Sequence, residues 1–188
     1  MKRLAVLSII QLLFAAVVVA QAQIGSFYGL RLGMTISEVR SALSNQGKAL
    51  IDATSAQPGK YYTEDVKLGD SSFELLYLYF SDSKLTSGEF FNGFWRDIST
   101  GPEYAISQLF SQYQSLAREY KVIFNSMKYN LTSKYGNPVI DDGDVVIWRK
   151  ATNQIKMQYL DREAQGFPHE IETQVRIKYE KVNNSANY

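Results

Sequence analysis

Apolar residues recur at helical spacing in two stretches of the chain. Between Thr35 and Gly47 the residues Ile36, Val39, Ala42 and Leu43 stand three and four apart and draw one stripe. Thr35 and Glu38 have the spacing of a capping box, and Gly47 sits where a helix ends in the left-handed conformation. This stretch is a complete short helix with both end signals. The second stripe is longer: Ile106, Phe110, Tyr113, Ala117, Tyr120, Phe124, Met127 and Leu131. Thr100 and Glu103 repeat the capping-box spacing before it, and Gly136 and Pro138 stop it. At 1.5 Å per residue such a helix is roughly 50 Å long and overshoots a small sheet. It therefore kinks, breaks near Lys121 to Ser126, or projects, and its four–three spacing also fits a coiled-coil seam.

Elsewhere the period falls to two. Strands are predicted over 60–68, 73–80, 85–94, 145–150, 154–160 and 170–182. Phe73, Leu75, Tyr77 and Tyr79 share one face of the second strand, and Leu76, Leu78 and Phe80 the other, as in a central strand covered on both sides. In the last strand Ile171, Thr173, Val175, Ile177 and Tyr179 alternate with charged and polar residues, the mark of a half-exposed antiparallel strand. Residues 28–33 read as an extended lead-in, and 48–60 as a loop. The fold class is α+β: an antiparallel sheet of about six strands with helices on one face, in two helix-plus-three-strand halves at 27–98 and 99–182. These halves make a single domain over 23–182, followed by a flexible tail at 183–188.

Residues 1–22 change the setting. Lys2 and Arg3 precede an apolar run to Ala20, and Ala20-Gln21-Ala22 supplies small residues for cleavage, so a signal peptide cut after Ala22 is expected. An uncleaved anchor is the rival reading, although the run falls short of the about 20 residues a span needs. No other stretch is apolar enough to span a membrane. The formal charge of +1 loses two basic residues with the leader, which leaves no basic footprint for nucleic acid. The 188 residues include no cysteine, which removes disulfides, thiolate chemistry and cysteine metal sites. An exported chain without cysteine fits a bacterial envelope, periplasmic or secreted.

Two segments resemble a known group. Leu32-Gly-Met-Thr-Ile-Ser-Glu-Val-Arg40 and Leu131-Thr-Ser-Lys-Tyr-Gly-Asn-Pro138 are similar to the helix start and helix end of exported bacterial α+β domains. That group includes the β-lactamase-inhibitor-protein-like fold and the small lipoprotein of the outer-membrane β-barrel assembly machinery. The resemblance implies an α+β fold and a tendency to bind proteins or envelope components, and carries over no functional residue. The chain lacks both the lipid-bearing cysteine of the lipoprotein and the disulfides of the inhibitor.

Chemistry-bearing residues are sparse. His169 is the only histidine, so imidazole clusters are excluded. Asp141, Asp142 and Asp144 miss the spacing of a calcium loop and read as a solvated turn. No metal or cofactor is expected. Aromatic residues stand above the background: Phe90, Phe91, Phe94 and Trp95 lie close together before Arg96, with Tyr61 and Tyr62 on another strand. Half of these belong to a core under the long helix. The others form an aromatic patch suited to gripping a protein, peptide or sugar ring, with Phe94, Trp95 and Arg96 as exposed anchors and Phe91 and Tyr62 beside them. The leading expectation is a non-enzymatic exported binding module for a protein or envelope component such as a glycan. The alternatives are a carboxylate-dependent hydrolase acting on an envelope polymer and a homodimer formed through the long helix.

Overall fold

The computed structural model describes residues 24–98, 102–162 and 170–182. The expected leader at 1–22 and tail at 183–188 lie outside these residues, as do Thr100, Glu163 and His169. The first helix, α1 (Ile36–Ser44), has the capping chemistry its sequence predicts. Thr35 Oγ1 accepts from the Glu38 N–H at 3.2 Å, and the Glu38 carboxylate accepts from the Thr35 N–H at 2.7 Å. The bond from the Thr35 N–H, followed by one that the Thr35 hydroxyl donates to the same carboxylate oxygen at 2.8 Å, holds the Glu38 carboxyl below its ordinary range. At the other end Gly47 has φ +70°, and the Lys48 N–H reaches the Leu43 carbonyl at 2.9 Å, closing a Schellman motif.

The second helix, α2 (Glu103–Tyr135), runs unbroken through 33 residues. Its N-cap is Pro102, which offers no side-chain cap bond; the expected cap, Thr100, lies outside the described residues. Tyr113, Ala117, Tyr120, Phe124, Met127 and Leu131 are buried, so the four–three stripe faces the sheet from Tyr113 onward. Ile106 and Phe110, in the first turns, are only half-buried. Lys121 and Lys128 tie α2 to the 141–144 turn through Asp144 and Asp141, at 2.8 and 2.7 Å. The acidic turn is thus anchored rather than simply solvated.

Among the described residues eight strands, not about six, form one antiparallel sheet. They are β3 (Ile51–Asp52), β4 (Lys60–Leu68), β5 (Ser71–Ser81), β6 (Lys84–Asp97), β7 (Ile140–Asp141), β8 (Val145–Lys150), β9 (Asn153–Asp161) and β10 (Glu170–Lys181). Their order is β3-β4-β5-β6-β10-β9-β8-β7. Each helix is therefore followed by a four-strand meander that begins with a two-residue edge strand, and the two meanders meet along β6 and β10. A separate hairpin, β1 (Ser26–Phe27) and β2 (Leu30–Arg31), precedes α1. The lead-in is this hairpin rather than one extended segment. Tyr28 and Gly29, with φ +49° and +70°, make the tight turn whose twist suits a two-residue loop.

One face of the sheet is filled by both helices and the hairpin. Val39 and Leu43 of α1 join Tyr120, Phe124, Met127 and Leu131 of α2 over Leu76, Leu78, Phe90, Val146, Trp148, Ile155, Met157, Val175 and Ile177. Phe27 stacks on Tyr179 at 4.9 Å between centroids. Its ring occupies the space a β-carbon would need at Gly88. Phe73 also leaves the face that simple alternation assigns it. It is buried 5.4 Å from the Phe90 ring, just past Asp65, whose φ of +50° interrupts the β4–β5 ladder. Among the described residues no helix is long and apolar enough to cross a membrane.

Candidate functional site

The register of the strands sets a single row of side chains across the second face. Successive cross-strand partners are Ile51, Tyr62, Tyr77, Glu89, Lys178, Lys156, Ile147 and Ile140. A parallel row runs Glu64, Leu75, Phe91, Arg176, Gln158 and Val145. Cross-strand partners share a face, so both rows lie opposite the helices. None of the described elements packs over this face.

Its β4–β6 half is aromatic. Tyr62 and Tyr77 have ring centroids 6.4 Å apart, and Tyr77 and Phe91 5.9 Å. Lys60 Nζ stands 4.0 Å over the Tyr77 ring, a cation–π geometry that fixes one side of it. Ala53, Ala56, Lys60, Tyr62, Leu75 and Tyr77 border a hollow of about 290 Å³. The ring of Phe91 lies over Gly93, and Trp95, two residues further and on the same face, is 51% exposed. Burial raises the Tyr77 phenol above its ordinary range, with the Glu89 charge adding to it.

The centre is charged. Glu89 is only 9% exposed and accepts from the Tyr79 hydroxyl at 3.2 Å, while Arg176 Nη1 stands 3.5 Å from its other oxygen. Burial, followed by the Glu89 charge, pushes the Tyr79 phenol up to about 12. Arg176 also lies 5.1 Å over the Phe91 ring and donates Nε to Gln174 at 2.7 Å. This guanidinium joins the aromatic half to the charged one. Glu89, Lys156, Gln158, Arg176, Lys178 and Glu180 border a second hollow of about 280 Å³.

The five residues singled out from the sequence are not brought together as one patch. Tyr62 and Phe91 lie on the open face and are joined by Tyr77. Trp95 is on the same face at the far end of β6. Phe94 is 8% exposed and packs beneath α2 with Tyr113, Ala117 and Ile171, so it is a core residue and not an exposed anchor. Arg96 is exposed and alternates with Trp95, and its guanidinium caps the Phe94 ring at 5.2 Å. The strand continues through Asp97, and its period of two parts these neighbours. Tyr77, Glu89, Lys156, Arg176 and Lys178 were missed. Tyr77 was visible as a same-face neighbour of Leu75 and Tyr79, but the other four become a group only once β6, β10 and β9 are adjacent.

A third hollow, of about 310 Å³, lies between the β4–β5 turn and α2. It gathers Asp65, Glu74 and Glu119 beside Tyr120, whose hydroxyl donates to Glu74 at 3.3 Å. Among the described residues no group of three or more carboxylate or imidazole side chains is placed to hold a metal ion. Compared with protein-family models, with curated proteins and with solved structures, the chain matches none.

Proposed function

We propose that this chain is an exported binding module that takes a partner protein on the open face of its eight-stranded sheet. One observation carries the reading: the face opposite the helices bears the row Tyr62, Tyr77 and Phe91, held in place by Lys60 and Arg176. Aromatic side chains with fixed rings present large contact area at little entropic cost, and aromatic residues and arginine are typical anchors of protein interfaces. A solvent-facing sheet surface without a partner is ordinarily polar. The likeness of the two helix signals to exported bacterial domains that bind proteins points the same way, as does the leader-like segment at 1–22.

Photo-crosslinking residues placed singly at Tyr77 and Trp95, and at Val122 and Tyr129 on the outer side of α2, test this. Val122 and Tyr129 are 68% and 76% exposed, so all four positions reach solvent or a partner without disturbing the core. Adducts to another protein are expected from Tyr77 and Trp95 in cells that produce the protein. Adducts confined to Val122 and Tyr129, joining two copies of the chain, overturn the reading in favour of a dimer through the long helix.

A further inference from the structure

Resting on that reading, we infer that the hollow over β6, β10 and β9 is a subsite for a carboxylate, and that the partner protein is held by an aspartate or glutamate seated there. Lys156 and Lys178 are direct cross-strand partners on β9 and β10. Like charges so placed, with β-carbons about 5 Å apart, repel. Lys178 relieves this by turning to Glu180 at 2.7 Å. Glu180 also accepts from Gln154 at 2.7 Å. Glu89 takes Tyr79 and Arg176. Both acids of the hollow are thus engaged, while Lys156 has neither an ion pair nor a hydrogen bond among the described residues. Arg176 leaves Nη2 unengaged among them. A half-buried lysine lines a concave space beside Arg176, and neither acid of that hollow lies within ion-pair distance of it. Charge complementarity calls for an anion.

The surroundings favour a protein over a small anion. The hollow lies on an open sheet, where a free phosphate or carboxylate would keep most of its surface in water, unlike the enclosing sites that hold small ligands. It also continues without a break into the aromatic row. Tyr77 and Lys156 are three strands apart, about 14 Å at about 4.8 Å per strand. An extended peptide covers that distance in about four residues. The footprint is therefore a segment of partner protein with an apolar residue on Tyr62, Tyr77 and Phe91 and an acidic residue about four positions away over Lys156.

A random-peptide display library selected against the purified protein tests this, with Lys156→Glu, Lys156→Gln and Tyr77→Ala selected in parallel. Thermal melts confirm that each variant folds. The wild-type protein is expected to enrich peptides with Asp or Glu about four positions from an aromatic or aliphatic residue. Lys156→Gln is expected to weaken a synthetic peptide of the enriched sequence about tenfold. Lys156→Glu is expected to replace the acidic preference with a basic one, while Tyr77→Ala loses the apolar position and keeps the acidic one. Enriched peptides that depend on Tyr77 but show no acidic preference, or one that Lys156→Glu leaves unchanged, overturn the carboxylate subsite and leave the open-face reading standing. Failure of any peptide to depend on Tyr77 overturns the open-face reading and the subsite with it. Inorganic phosphate that shifts the Lys156 and Lys178 amide resonances and is not displaced by the enriched peptide assigns the hollow to small anions and overturns the proposal.

Discussion

The Phe91 ring lies across the backbone of Gly93 on the open face, where a β-carbon at position 93 would overlap the ring. Glycine in a central strand is costly by itself, roughly 0.5–1 kcal/mol against alanine, and often marks a close approach. Here the approaching group is a ring of the candidate site. The obstacle is the far end of a side chain, not backbone, so Gly93→Ala is expected to keep the fold and change stability by less than about 1 kcal/mol. The ring must swing off Gly93. Loss of the Phe91 ring-current shifts on neighbouring methyl groups, with unfolding midpoints nearly unchanged, is the expected signature. A destabilisation of several kcal/mol would mean that the ring is locked and belongs to the core.

The cross-strand pair Lys156 and Lys178 leads to an opposite kind of change. Lys156→Glu sets an acid directly across from Lys178. Such a swap of a like pair for an opposite pair is worth roughly 0.2–1 kcal/mol. Urea unfolding should show the variant to be the more stable protein by about that amount, with an unchanged slope. A neutral or destabilising outcome would show that Lys178, already turned to Glu180, does not feel its neighbour.

The sequence made the long elements legible and hid what joins them. The β4 and β8 boundaries are the predicted ones, because turn signals bracket both strands: Pro58-Gly59 and Gly69-Asp70 around β4, and Asp142-Gly143-Asp144 and Ala151-Thr152 around β8. β3 and β7 have two residues each, too few to show a period, so two edge strands were invisible. The β1–β2 hairpin was hidden by Tyr28, a residue that rarely takes the positive φ its turn requires. For the site, alternation already implied that Phe94 and Trp95 cannot share a face while the strand lasts; the strand's extension to Asp97 decided the matter. The charged centre needed the partner strands. Arg176 and Lys178 read as ordinary polar positions until β10 is placed between β6 and β9.

Asn92 stands in for the ladder where β5 and β6 part. Their backbone pairing ends at Leu75 and Phe91. Beyond it the Asn92 side chain accepts from the Glu74 N–H at 2.6 Å and donates to the Ser72 carbonyl at 3.0 Å. Asn92 is 4% exposed, but Ser72 and Glu74 are exposed residues at the rim of the third hollow, so its removal hands their backbone groups to water. At about 0.5–1.5 kcal/mol net for each hydrogen bond lost, Asn92→Ala is expected to cost about 1–3 kcal/mol. Hydrogen exchange should localise the damage: the Glu74 amide loses protection while amides at the β9–β10 ladder keep theirs. Uniform loss of protection would show that this corner unfolds only with the whole sheet.

Alkaline pH should unfold the protein through its tyrosines. Burial, the largest cause in each case, raises Tyr79, Tyr120, Tyr159 and Tyr179 above the ordinary 10.0, with Tyr79 and Tyr159 reaching about 12. Neighbouring carboxylates add to the shift at Tyr79 through Glu89, at Tyr120 through Glu74 and at Tyr159 through Asp161. The sign follows from which state holds the proton. Above pH 10 the unfolded chain has released these phenolic protons and the folded chain retains them, so the slope of unfolding free energy with pH is negative. The stabilisation is fully present below pH 10 and is lost as pH rises from there through about 12. Urea midpoints should be flat with respect to these groups at neutral pH and fall across that window. Tyr79→Phe, which removes a phenol without removing the ring, should make the fall shallower by one group. A near-ultraviolet absorbance titration separates the causes. These four phenolates should appear together with the loss of secondary structure, and their appearance near pH 10 in a still-folded protein would show that water reaches them.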